Sequence, residues 1–202
     1  FTGNRGHFAL LFNNYAPAHT RHPRDLGGLR RPAGACRPAF FAGLADLPLD
    51  THDVDYFRDS ADALADPAAF FAADKRMPGR PVLELVMLLQ YAAWGTNFAV
   101  YHLFSGLLHC VAAFTLARAA RALELDLASA LLTGLLFLVN VSHFNAVHWI
   151  SAQCYPLVLI CGSLALAAHL RGRTTTVYAL QVAGALCHIA AAAFLPFFLY
   201  IS

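Results

Sequence analysis

From Phe98 onward the chain alternates apolar windows of membrane-crossing length with short polar breaks, and this pattern constrains the fold more than any motif does. The windows are 98–117, 127–141 (or on to 147), 155–170 and 177–201. At 1.5 Å per residue, about 20 residues cross a hydrocarbon core of about 30 Å. The second and third windows are short, so they call for little tilt or a locally thinned bilayer. Charged residues make up 13% of the 202 residues, against about 25% in an ordinary soluble domain. A chain that must satisfy its backbone inside lipid forms helices. The expectation is an all-α, multi-pass transmembrane helical bundle with an external loop and short amphipathic helices.

Three regions follow. Residues 1–52 contain "RHPRDLGGLRRPAGACRP", rich in Arg, Pro and Gly and without period, and read as irregular or poorly ordered. Residues 53–97 read as an external acidic loop with interfacial helices. In that loop Asp53, Asp55, Asp59, Asp62 and Asp66 cluster, and a short surface helix is expected from Ser60 to near Pro67. "PVLELVMLLQYAAWG" starts with Pro81 at a first helical position and stops at Gly95. With Glu84 and Gln90 aboard, it suits an interfacial or bundle-packed helix better than a span. Residues 98–202 form the bundle of about four spans. An opening on Phe1 and a close on "FFLYIS", inside an apolar run, read as a piece of a longer membrane protein.

A net charge of +2, with basic residues in short clusters, gives no argument for nucleic acid. Five cysteines without a CxxC pair give neither a disulfide framework nor zinc spacing. Cys110, Cys161 and Cys187 fall in apolar runs and read as small buried hydrophobes.

Arginine placement sets the orientation. Arg118 and Arg121 follow the first window, Arg171 and Arg173 the third, and the positive-inside rule puts both clusters in the cytoplasm. The polar stretch "SHFNAVHWISAQC" has no Lys or Arg and faces out, together with the acidic loop. Trp149 and Tyr155 suit the membrane–water boundary there.

These external stretches bring together Asp53, Asp55 and Asp59, Arg80, and His143, Asn145, His148 and Gln153, with His102 near the outer end of the first span. Carboxylates serve as general bases or metal ligands, and arginine grips phosphate with two prongs. Solvated loop charges and interfacial hydrogen bonds are the alternative for each of them. No cofactor motif is present; Asp53 with Asp55 leaves a divalent cation, Mg or Mn, open at the acidic loop, a thin site with two ligands. His109 lies near the middle of the first span, seven residues from His102. An ionisable residue there is a candidate functional group, or a neutral side chain bonded to a neighbouring helix. His188 has no partner at complementary spacing, which argues against haem.

The segment "RPVLELVMLLQYAAWGTNFAVYHLFSGLLHCVAAFTL" resembles the GT-C superfamily of membrane glycosyltransferases, in particular bacterial proteins akin to protein O-mannosyltransferases and transmembrane-TPR mannosyltransferases. Arg80, Pro81, Gly95, Tyr101, His102, Leu103 and His109 match in order and spacing. In "NVSHFNAVHWIS", His143, Ala146, Val147, Trp149, Ile150 and Ser151 match a second family pattern. The resemblance covers roughly residues 53–173. The family's His-Pro is Asn140-Val141 here, its Glu is Asn145, and its following Arg and Asp are Gln153 and Tyr155. Its adjacent acidic pair is split in "DVDYF".

The resemblance implies transfer of a sugar from a polyprenyl-phosphate donor to an acceptor on the external face of the plasma membrane. Asp55 or Asp53 would be the base, Arg80 would hold the phosphate, and His102, His143, Asn145, His148 and Gln153 would orient sugar or phosphate. Loss of the outer-turn acid favours a non-catalytic assembly or flippase-like partner with the same fold. A transporter fits less well, because transporter sites lie near the midplane and only His109 is deep.

Overall fold

The computed structural model describes residues 49–140, 142 and 144–200, and among these every regular element is helical. Of the segment expected to be irregular, only residues 49–52 are described.

Helix α1 (Thr51–Ala65) starts well before Ser60, so the stretch expected to be an acidic loop is helical. The reason is local. The Asp50 carboxylate accepts the His52 N–H at 3.1 Å, and the Asp53 carboxylate reaches back to the Asp50 N–H at 3.1 Å. This capping box satisfies donors that a helix start leaves orphaned. Asp66 ends the helix and caps the 3-10 turn Pro67–Phe71.

Helix α2 (Pro81–Trp94) keeps the expected ends, with Pro81 in its first turn. Gly95 follows at φ 54°, a left-handed conformation that favours glycine, and its N–H closes on the Tyr91 carbonyl. Helix α3 (Phe98–Ala122) runs past residue 117 and carries Arg118 and Arg121 into its last turns, where cations favour the helix dipole. Leu103, Leu107, Cys110 and Phe114 form its exposed stripe. Cys110 is therefore exposed rather than buried, because helical spacing puts it on the outward face; Cys161 is half-buried and Cys187 buried.

Helix α4 (Leu127–Val139), capped by Asp126, returns antiparallel to α3. Its only buried residues are Ala130 and Gly134. A Cβ at Gly134 would stand 2.8 Å from the Ala113 carbonyl oxygen, so glycine lets the two backbones touch. At 13 residues α4 is about 20 Å long, short of a membrane core.

The polar break folds into α5 (Phe144–His148) and the 3-10 turn Ile150–Gln153, which runs directly into α6 (Cys154–His169). Helix α6 lies parallel to α3, so the chain ends of both meet in one apolar cluster that includes Ala119, Ala165 and Leu166. Arg118, Arg121, Arg171 and Arg173 consequently gather at one end of the bundle. At the opposite end Phe57, Leu83, Tyr101 and Ile150 share a second cluster.

The fourth expected span is not continuous. Helix α7 (Thr174–Cys187) stops at His188, whose backbone is extended, and the chain then folds back as a 3-10 turn (Ile189–Phe194) and α8 (Leu195–Tyr200). A Cβ on Gly184 would stand 3.3 Å from the Ala191 Cβ, and Phe198 shares a cluster with Val177, so the two arms run antiparallel about His188. Gly162 makes room for the returning arm, since a Cβ there would sit inside the Phe194 ring.

Among the described residues two helical stretches, Phe98–Ala122 and Ile150–His169, are long and apolar enough to cross a membrane.

Candidate functional site

The predicted site residues that can be placed gather at the end of the bundle away from the arginine clusters, where the two carboxylates of the acidic pair part company. Residues two apart on a helix point about 200° apart, so Asp53 and Asp55 cannot converge. Asp53 turns inward and is fully buried. Its carboxylate accepts the Ser151 N–H at 2.7 Å and the Ile150 N–H at 3.4 Å, joining α1 to the 3-10 turn before α6. Burial pushes its carboxyl up from the ordinary value, opposed by the hydrogen bonds from Ser151, Asp50 and Ile150. Asp55 is half-exposed and pairs with Arg58 on its own helix at 3.7 Å. The two-carboxylate metal site is thus not assembled, and among the described residues no group of three or more His, Cys, Asp or Glu is placed to hold a metal.

Asp59 serves a structural clamp. Its oxygens accept the Arg76 guanidinium at 2.9 Å and the Met77 N–H at 2.9 Å, while Asp62 takes the same Arg76 group at 2.9 Å. The segment between α1 and α2 is thereby pinned over α1. Beneath it, Lys75 pairs with the buried Glu84, donates to the Phe70 carbonyl at 2.8 Å and stands 5.0 Å above the Phe70 ring. Glu84 also accepts the Arg80 N–H at 2.8 Å. Tyr56, Ser60, Lys75 and Glu84 line a cavity of about 20 Å³, about the room of one water.

Arg80 heads α2, half-buried, with no carboxylate within ion-pair distance among the described residues. The buried Tyr56 hydroxyl lies next to its guanidinium but makes no well-formed hydrogen bond. Burial pushes the Tyr56 phenol up to about 12, and the Arg80 charge opposes that rise.

Gln153 is fully buried in a polar ladder through the helices. It accepts from the Gln90 side chain at 2.7 Å and donates to Ser105 Oγ at 3.0 Å, and Ser105 in turn donates to the Tyr101 carbonyl at 3.1 Å. Its amide is therefore committed to packing rather than aimed at a ligand. His102 is fully buried on the same face of α3 as Ser105, and His148 is half-buried at the end of α5. Asn145 lies within α5, and His143 falls outside the described residues. Deeper down, His109 Nε2 lies 3.3 Å from the Leu138 carbonyl, an acceptor in the last turn of α4, and its ring stacks on Phe137 at 4.8 Å. This is the interhelical bond anticipated as its alternative role. Trp149 and Tyr155 are both exposed.

Tyr56, Lys75, Glu84 and Gln90 carry much of this end, and sequence reasoning gave them no site role. The available signal was Glu84 and Gln90 on an otherwise apolar helix, where each needs a partner.

The architecture defines a class: among the described residues, an all-helical fold with two helical stretches of membrane-crossing length and a polar end ordered by buried carboxylate and amide contacts. No family model, curated protein or solved structure matches the chain.

Proposed function

We propose that this chain is the membrane region of a transferase that moves a sugar from a polyprenyl-phosphate donor to an acceptor outside the plasma membrane. Embedding is supported by the exposed Leu103, Leu107 and Phe114 on α3 and Leu131, Leu132, Leu135 and Leu136 on α4. An apolar surface that wide needs lipid or further helices to cover it. The arginine clusters at one end favour a cytoplasmic position for that end.

The single observation that carries the reading is Arg80. A half-buried guanidinium with no carboxylate in ion-pair reach among the described residues, held at the head of a helix on the opposite end, suits an anionic lipid headgroup. The resemblance around residues 80–109 supplies the sugar chemistry. Asp55 is the better placed base of the acidic pair, since the Asp53 carboxylate is occupied by peptide N–H groups. It would take the acceptor hydroxyl proton as that oxygen attacks the anomeric carbon and the lipid phosphate departs.

Sugar transfer from a radiolabelled polyprenyl-phosphate donor, assayed with the full chain in membranes, tests this. Asp55→Asn is expected to slow transfer about 10²–10⁴-fold. Full transfer by that variant removes Asp55 as base, and no transfer by the unmodified chain removes the transferase. A non-catalytic membrane partner is the second reading, favoured by the structural use of Asp53.

A further inference from the structure

The hinge of the last apolar segment carries a group that the proposed reaction leaves unused. His188 stands between α7 and the returning 3-10 turn, half-buried, with its backbone extended. Its Nδ1 accepts the Ala190 N–H at 3.1 Å. A ring nitrogen that accepts a backbone N–H is unprotonated, so the neutral ring carries its proton on Nε2. That N–H has no acceptor among the described residues, and the Tyr155 ring packs against the imidazole at 5.1 Å.

Helix α2 packs on α7, and Val82 in its first turn sits in one apolar cluster with Cys187 and Ala191, on either side of His188, so the head of α2 that carries Arg80 stands at this hinge. The Tyr56 hydroxyl, in a residue only 2% exposed, lies beside the Arg80 guanidinium and makes no well-formed hydrogen bond among the described residues. Glu84, the nearest carboxylate on α2, is already engaged by Lys75 and by the Arg80 backbone.

We propose that Arg80, His188 and Tyr56 form one oxyanion site that takes a phosphate ester, with His188 as a neutral N–H donor. This deepens the phosphate role proposed for Arg80 and rests on it. Arginine supplies the charge, and hydroxyl and imidazole add directional donors. A second cation beside Arg80 would repel it, whereas the neutral tautomer held by Ala190 adds a hydrogen bond without that cost. The hinge thus acts as a positioning device: the turn that folds the last segment back also fixes the imidazole through Nδ1 and leaves Nε2–H as its donor.

The test is calorimetric titration of the full chain in phosphatidylcholine nanodiscs with farnesyl phosphate, farnesol and inorganic phosphate. His188→Asn retains an oxygen that can accept the Ala190 N–H but loses the Nε2 donor. His188→Gln places an amide N–H near the Nε2 position. Farnesyl phosphate is expected to bind and farnesol not to. A hydrogen bond to a charged group is worth enough that His188→Asn should weaken binding about tenfold or more, while His188→Gln stays within about threefold of the unmodified chain. Displacement by inorganic phosphate would identify the anion alone as the ligand; binding of farnesyl phosphate only would identify a lipid source. Unchanged binding in His188→Asn, or an equal loss in both variants, overturns the role of His188. If Arg80→Gln loses binding while His188→Asn does not, the inference fails and the Arg80 role stands; no binding by the unmodified chain removes both.

Discussion

Asp53 and Ser151 stand 98 positions apart, yet the carboxylate of one accepts the backbone N–H of the other at 2.7 Å in a fully buried contact. The helix that precedes the bundle and the turn that starts α6 are thereby fastened together. Removing the carboxylate strands peptide donors away from water, and a buried unsatisfied donor costs about 1–3 kcal/mol. Asp53→Ala should therefore destabilise the protein by about 3 kcal/mol, and Asp55→Ala by no more than about 0.5 kcal/mol. Denaturation in detergent checks both.

The same contact sets a pH dependence. The folded Asp53 carboxyl is raised above its ordinary 3.8, so the folded state holds this proton more tightly than the unfolded chain does. The resulting stabilisation is complete below about 3.8 and is lost as pH rises through the folded value. The stability gap between the unmodified chain and Asp53→Asn should narrow from pH 4 to pH 7. A gap that widens with pH would reverse the sign assigned here.

The glutamine pair gives a cycle. Gln153→Leu strands the Gln90 amide, and Gln90→Leu strands Gln153, each at about 1–3 kcal/mol. The double variant removes both polar partners and should cost clearly less than the sum of the singles. Additive losses, measured by the same denaturation, would mean the two amides do not depend on one another.

What the sequence made legible was local. Pro81 and Gly95 bound α2 because each acts on its own backbone, and His109 was readable as an interhelical donor because a polar ring within an apolar window needs an acceptor. The Asp50–Asp53 box was also local, but the aspartates read as loop charge, so α1 was placed too late. The inward turn of Asp53 depends on a partner in the turn before α6, beyond any local pattern. The break at His188 carries no Gly or Pro of its own; packing of Phe194 over Gly162 and Ala191 over Gly184 holds the returning arm. The split of the acidic pair into one buried and one outward carboxylate follows once that stretch is helical.

Two glycines should respond differently to enlargement. Gly162→Ala places a methyl group in the Phe194 ring, and overpacking of this kind costs about 1–3 kcal/mol. Phe194→Leu, a smaller and flexible neighbour, should recover part of that loss. Gly134→Ala meets the Ala113 carbonyl, which is backbone and cannot be trimmed, so it should push α3 and α4 apart. Melting temperatures in detergent decide the matter; equal rescue of both by Phe194→Leu would contradict the separate contacts.

The membrane reading predicts which side each end faces. His52 and Ser142 are exposed near the end that carries Asp53, whereas Arg171 is exposed at the other end. Cysteines introduced at these three positions, with the native cysteines replaced, can be labelled by a membrane-impermeant maleimide in intact cells. His52→Cys and Ser142→Cys should label from outside and Arg171→Cys only after the cells are opened, because arginine clusters favour the cytoplasmic side. Cys110 restored alone on the outward stripe of α3 should resist the same reagent in membranes and react after detergent denaturation, since a charged, water-soluble reagent does not enter the hydrocarbon core. Labelling of His52→Cys and Arg171→Cys from one face would place both ends in the same compartment. A bundle that crosses the membrane between them could not give that result, and the outer anion site would lose its setting.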